Sequence, residues 1–213
     1  MAIGTYSEIL RLSKMWANRS DLTDEQYGTF IFFAGNLANQ LLRVPAMENT
    51  VILPVSEDGH VGIPFDFLQL RSLTHAWNSP VSKPLERISW DQFVNYYNSP
   101  DASDTKTQFF SRQGGYWFLA PKPKPDSKVT CHYYRAMPDI SQSEQTNWLS
   151  DLSPMTYLFG SLYYLYMFVQ DEERATHWKT LFNEELGRIQ ALSDNAEYAG
   201  TALSVRSRQF SGD

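Results

Sequence analysis

Residues 155–169 run Met-Thr-Tyr-Leu-Phe-Gly-Ser-Leu-Tyr-Tyr-Leu-Tyr-Met-Phe-Val without one charged side chain. Such a run has to be buried against something. It is shorter than the roughly 20 residues that a membrane-spanning helix needs. Tyr157, Ser161, Tyr163, Tyr164 and Tyr166 also carry hydroxyls that want a partner or a wet edge. The run therefore predicts a central buried helix in a soluble protein made in the cytoplasm, apolar on all its faces. Ser153 as N-cap and Pro154 at the first helical position start it.

The segments that can cover this helix lie at both ends of the chain. Thr5-Tyr6-Ser7-Glu8 fits a capping box and predicts a helix from Tyr6, with Ile9, Leu10 and Trp16 at helical spacing. Thr23-Asp24-Glu25-Gln26 is a second capping box. Behind it Tyr27, Phe30, Ile31, Ala34, Leu37, Ala38 and Leu41 keep a three-and-four rhythm to Arg43, and Pro45 ends the helix. After the apolar run, Asp171, Glu172 and Glu173 place negative charge where a helix N-terminus favours it. Ala175, Trp178, Leu181, Phe182, Leu186, Ile189 and Leu192 form that helix's buried stripe, with Glu184 and Arg188 as an i,i+4 pair outside. Residues 145–151 predict one short helical turn, and 195–213 an extended tail.

The middle of the chain changes period. Val51, Leu53 and Val55 alternate, Asp58-Gly59 signals a hairpin turn, and a short strand follows from His60 to Ile63. Leu68 and Leu70 begin a strand toward Trp77. Ser89-Trp90-Asp91-Gln92 caps a short helix with Trp90, Phe93, Val94 and Tyr97 on one face. Residues 98–106 read as a polar loop. Strands are expected at 107–112, 116–120 and 128–135, joined by Gly114-Gly115 and by the proline-rich 121–127. The expected architecture is α+β. A four-helix-type bundle comes from 1–45 and 141–193, a smaller β-rich insertion lobe from 46–140, and an extended C-terminal arm from 194–213.

Motifs for chemistry are missing. His60, His75, His132 and His177 are scattered, and Glu173 with His177 is two groups where a metal site needs more. No metal, cofactor or catalytic residue is assigned. The triplet Asp171–Glu173 is explained by a helix start. Cys131 is the single cysteine, so it has no disulfide partner in the chain. In a strand it points away from His132 and reads as a structural thiol. The N-terminus lacks a basic-then-apolar signal layout. Aromatics make up 15% of the chain and the net charge is −6. That balance suits large buried or interfacial surfaces and disfavours a sequence-specific DNA binder. Lys122, Lys124 and Lys128 form a small basic loop that could touch a phosphate backbone or an acidic partner.

Several segments in fixed order resemble the head-to-tail adaptors, of connector or gatekeeper type, of tailed bacteriophages. They are Ile63-Pro64-Phe65-Asp66-Phe67-Leu68-Gln69-Leu70-Arg71-Ser72, then Tyr133-Tyr134-Arg135-Ala136-Met137-Pro138-Asp139-Ile140-Ser141, then Thr146-Asn147-Trp148-Leu149. The apolar helix through Asp171-Glu172-Glu173-Arg174 and Trp178, and finally Ala196-Glu197-Tyr198-Ala199-Gly200-Thr201-Ala202-Leu203, complete the set. Pro154 is followed by Met155 where relatives would carry an acidic residue. The resemblance implies a structural virion protein of the neck and no enzyme. It implies a homo-oligomeric ring, commonly of about twelve copies, docked on the portal protein ring, with a tail or nozzle protein below. DNA passes through without specific contact, and no membrane is involved. Tyr198, Leu203, Val205, Arg206 and Arg208 are the candidate portal-binding residues, because Leu203 and Val205 alternate like a strand and Arg206 and Arg208 lie one strand repeat apart. Another neck or tail component (a stopper or tail tube) is the alternative, and a carboxylate-dependent enzyme around Asp171 the more distant one.

Overall fold

A computed structural model describes residues 4–75, 84–97 and 107–198. In chain order the elements are α1 (Tyr6–Ala17), α2 (Asp24–Leu41), β1 (Glu48–Pro54), β2 (His60–Gly62), β3 (Phe67–His75), β4 (Glu86–Arg87), α3 (Trp90–Tyr97), β5 (Phe109–Gln113), β6 (Tyr116–Ala120), β7 (Lys128–Arg135), α4 (Trp148–Leu152), α5 (Pro154–Phe168) and α6 (Glu172–Tyr198). The architecture is α+β. The chain up to Pro45 and from Met137 onward forms one compact unit, and Ala46–Ala136 forms a second.

In the helical unit the local start signals act as the side-chain chemistry dictates. Thr5 Oγ1 accepts the Glu8 N–H at 3.3 Å, and Asn18, in the left-handed region at φ 47°, closes α1. Thr23 and Gln26 cap α2 reciprocally, with the Thr23 N–H donating to Gln26 Oε1 at 2.8 Å. Asp171 Oδ1 accepts the Arg174 N–H at 3.1 Å and opens α6. The apolar run is α5, which packs against α1, α2, α4 and α6. Tyr27, Phe30, Leu158, Leu162, Leu165 and Ala175 share one core, with Trp178 packed against it. A Cβ on Gly160 would stand 2.6 Å from Ala34 Cβ and 2.9 Å from the Phe182 ring, so glycine is what lets α2 and α6 approach α5 here.

Four details differ from expectation. The Ser153 hydroxyl does not cap α5; it donates to Glu185 instead, tying the start of α5 to α6. Arg188 pairs with Glu185 at i,i+3, its Nε 3.0 Å from Oε2, rather than with Glu184. Leu41 and Leu192 are exposed, at 54% and 55%. With 27 residues against 15, α6 outruns α5, and its stripe loses the surface it packs on. Finally, α6 continues to Tyr198, so 195–198 are helical and not extended. Ala196 and Glu197 are good helix formers, no Gly or Pro intervenes before Gly200, and propagation from an existing helix is easy.

The second unit, the expected β-rich lobe, holds two sheets. They are three-stranded β1-β7-β3 and four-stranded β2-β6-β5-β4, antiparallel apart from the β4–β5 pair. Val129, Cys131, Tyr133 and Leu73 from the first meet Val61, Phe110, Trp117 and Leu119 from the second in one core. Along β7 burial alternates, placing Cys131 inward and His132 outward. The Asp58-Gly59 turn forms, with Gly59 at φ 76° and its N–H 3.0 Å from the Ser56 carbonyl. It does not make a hairpin, however: β1 pairs with β7 and β2 with β6. The Gly114-Gly115 hairpin between β5 and β6 is as expected. The 121–127 connection carries the chain from one sheet to the other. β4 lies in a stretch read as loop, and β5 starts at Phe109 rather than Thr107. Trp77 and the 98–106 loop lie outside the described residues.

Candidate docking surfaces

The basic loop between β6 and β7 is pinned by its backbone. The Asp126 N–H donates to the Val55 carbonyl at 3.0 Å, and the Val55 N–H to the Ser127 carbonyl at 2.9 Å. Asp126 takes a positive φ of 60° to make the turn. Lys122, Lys124 and Lys128 are all exposed on this frame. The Lys122 stem lies over Gly59, where a Cβ would come 2.8 Å from its Cγ. Tyr198 is the last residue of α6, in the other unit, and Leu203, Val205, Arg206 and Arg208 lie outside the described residues.

The groups with reactive chemistry are each taken up locally. His60 Nδ1 lies 3.0 Å from Ser56 Oγ, and His132 Nδ1 2.8 Å from Thr50 Oγ1. The His177 ring packs edge-on against Trp178 at 5.3 Å. Burial pushes the Cys131 thiol up to about 12, far from a thiolate at neutral pH. Among the described residues no three His, Cys, Asp or Glu side chains gather where a metal could sit.

What the sequence reading missed is how many aromatic side chains face outward. Phe65 is fully exposed, and Trp16, Phe32, Phe33 and Phe168 are substantially so. In the helical unit Phe33 meets Tyr164 at 5.4 Å, and Trp16 meets Trp178 at 5.7 Å. Exposed rings that cluster mark contact surfaces rather than solvent-facing ones. The residue patterns gave one hint. Phe32 and Phe33 fall off the helical stripe of α2, so they cannot enter its core.

A family model described as SU10 adaptor protein matches residues 4–206. The chain belongs to the SU10 adaptor protein family. This is a family of phage head-to-tail adaptors, in agreement with the resemblance carried by the segments above. The SU10 adaptor match runs through both units. It includes the lysine loop, Tyr198, Leu203, Val205 and Arg206, and stops before Arg208. None of the curated proteins compared with this SU10-family chain matches it. Membership places the chain among the structural components of a tailed-phage virion. No helix among the described residues is long and apolar enough to cross a membrane.

Proposed function

We propose that this SU10-family adaptor assembles as a ring on the portal, extends the DNA channel and offers a platform for the next tail component. The observation that carries the reading is one family model spanning both units and reaching residue 206. The exposed aromatic clusters support it, because a subunit that spends its life between two neighbours needs apolar surface in reach of each. Ring contacts join different surfaces of successive copies.

Attachment to the portal is assigned to the chain from Tyr198 on. Leu203 and Val205 alternate with Ser204 and Arg206, a pattern that suits strand addition to an edge on another subunit. Arg206 and Arg208 suit bidentate pairing with portal carboxylates. The lysine loop is assigned a contact with DNA or with an acidic partner face. Because α6 runs to Tyr198, the informative truncation falls after that residue. The shortened protein should keep its melting temperature and lose co-sedimentation with portal rings. Unchanged affinity would move the attachment surface onto one of the two folded units. A stopper or tail-tube subunit would not bind portal rings at all, so the untruncated protein in the same assay separates those readings.

A further inference from the structure

Within the second unit, Phe110, Leu119 and Trp117 of sheet β2-β6-β5-β4 point into the core shared with sheet β1-β7-β3. Cross-strand partners share a face of a sheet. Arg87 stands beside Phe110, and Arg112 opposite Trp117. Both arginines therefore lie on the inner face, at positions where an apolar side chain would extend the core. They line a notch of about 260 Å³ together with Phe67, Leu70, Phe110 and Trp117. Glu86, next to Arg87, faces the other side of the sheet with Phe109.

The two guanidinium groups come from neighbouring strands. Arg112 is two residues along β5 from the Phe110 that Arg87 pairs with, which puts their Cα atoms roughly 8 Å apart by strand spacing and rise. Arg112 lies over the Phe67 ring at 5.6 Å, and its Nε–H donates to the Gly114 carbonyl at 3.4 Å. Among the described residues neither arginine has a carboxylate partner, whereas Arg11, Arg19, Arg71, Arg174 and Arg188 each have one. Arg135, opposite Phe67 on β7, adds a further cation at this end. The acidic side chain there, Asp66, is engaged by the Tyr133 hydroxyl at 2.8 Å. An arginine that lays its stem on a core edge and keeps its charge in water explains one such residue. Two at one mouth repel each other, and an anion between them relieves that repulsion.

The walls select among anions. Rings and a leucine behind the cations suit a group with an apolar stem, and the planar guanidinium fork matches a carboxylate in bidentate fashion. A duplex phosphate lies on a convex backbone between sugars and brings no apolar stem to fill the notch. We propose that the notch binds a carboxylate carried on an apolar stem, as an acidic side chain of a partner protein presents it. The site is distinct from the lysine loop and from the arm beyond Tyr198, and it does not depend on the ring reading.

The probe is an acetylated and amidated Val-Glu-Val peptide, with Val-Gln-Val as its neutral counterpart. Each is titrated into the full chain while the arginine Nε–H signals are followed by NMR. Saturable shifts at Arg87 and Arg112 are expected with the glutamate peptide, and affinity about tenfold or more weaker with the glutamine one. Arg87→Gln and Arg112→Gln should each weaken binding about tenfold or more and leave the melting temperature unchanged. Arg112→Lys, which keeps the charge but not the fork, should recover only part of the loss. Acetate binding as well as the glutamate peptide overturns the role of the apolar stem. Tighter binding of inorganic phosphate or of a short duplex at the same two residues overturns the carboxylate assignment and makes the notch a nucleic-acid contact. No shift with the glutamate peptide, or undiminished binding when both arginines are replaced by glutamine, overturns the site. Failure of the chain to assemble on portal rings bears on the ring reading alone and changes none of these outcomes.

Discussion

Asn147 concentrates more hydrogen bonds than any simple cap. Its Oδ1 accepts the Ser150 N–H at 2.9 Å, and its Nδ2 donates to the Pro138 carbonyl and to the Tyr157 hydroxyl, both at 2.7 Å. The bonds to Ser150 and Tyr157 are buried in the helical unit, and the one to Pro138 is partly so. Asn147→Ala removes a cap worth about 1 kcal/mol. It also strands the buried Tyr157 hydroxyl at about 1–3 kcal/mol, so a loss of about 2–4 kcal/mol is expected in urea unfolding. Asn147→Asp keeps the cap acceptor but not the donors, and should recover part of that at most. Alkaline pH probes two further residues. Desolvation first of all raises the Tyr157 hydroxyl to about 12 from 10.0, and desolvation raises the Cys131 thiol to about 12 from 9.0. Above the unfolded values the unfolded chain gives up these protons while the folded one keeps them, so ionisation favours unfolding. Their effect on stability should be absent below about pH 9 and grow as the pH rises toward 12. Cys131→Ala should move the onset toward pH 10, where tyrosine alone remains, in unfolding curves recorded across this range. The same thiol should resist alkylation until the chain is unfolded.

At the scale of elements, α5 is the piece that others are built on, and Gly160 is where it is approached most closely. Gly160→Ala forces a methyl against Ala34 and Phe182. Overpacking of this kind costs about 1–3 kcal/mol. The opposite change, Phe182→Ala, opens a void beside the same glycine and should cost about 3–5 kcal/mol, since the ring has no exposed surface. Combining the two should recover stability relative to the sum, because the truncated ring leaves space for the added methyl; urea midpoints of the four proteins give the comparison. Additive losses would mean that the Ala34 contact, not Phe182, sets the limit. The continuation of α6 past Leu192 should respond to neither change.

For the whole molecule, the proposed passage of DNA raises the question of how an acidic subunit would tolerate it. With a net charge of −6, its affinity should be weak and independent of sequence. If Lys122, Lys124 and Lys128 each neutralise one phosphate, log K should fall with log salt at a slope of roughly −3, and each lysine replaced by alanine should take about 1 off that slope. Titration of labelled duplex at several salt concentrations measures this. Tight binding of a single sequence at physiological salt would contradict the proposed passage of DNA without specific contact. The three replacements are at exposed positions, two on a backbone-pinned loop and one at the first residue of β7, and should leave the melting temperature unchanged.

How much of this was legible beforehand follows from the range of the forces involved. The caps at Thr5 and Thr23, the Pro154 start, the Gly114-Gly115 turn and the burial of α5 could be read from residues three or four apart, because their donors and acceptors belong to the same turn of chain. The family could be read as well, from ordered segments along nearly the whole chain, although no catalytic signature marks it. Strand partnership could not. Alternation in β1 and β2 says which side chains face a core, but a strand's hydrogen bonds go to whichever strand arrives beside it, and here β7 and β6 arrive from far along the chain. The same limit applies to surfaces. Nothing local distinguishes Phe65, which reaches water, from Phe67, which packs on Trp117 at 5.2 Å. Leu192 keeps the helical rhythm of α6 after α5 has ended beneath it. Local chemistry determined the elements and their caps; only the tertiary structure decided which apolar side chains found a partner inside the chain and which stay exposed, because burial depends on atoms distant in sequence.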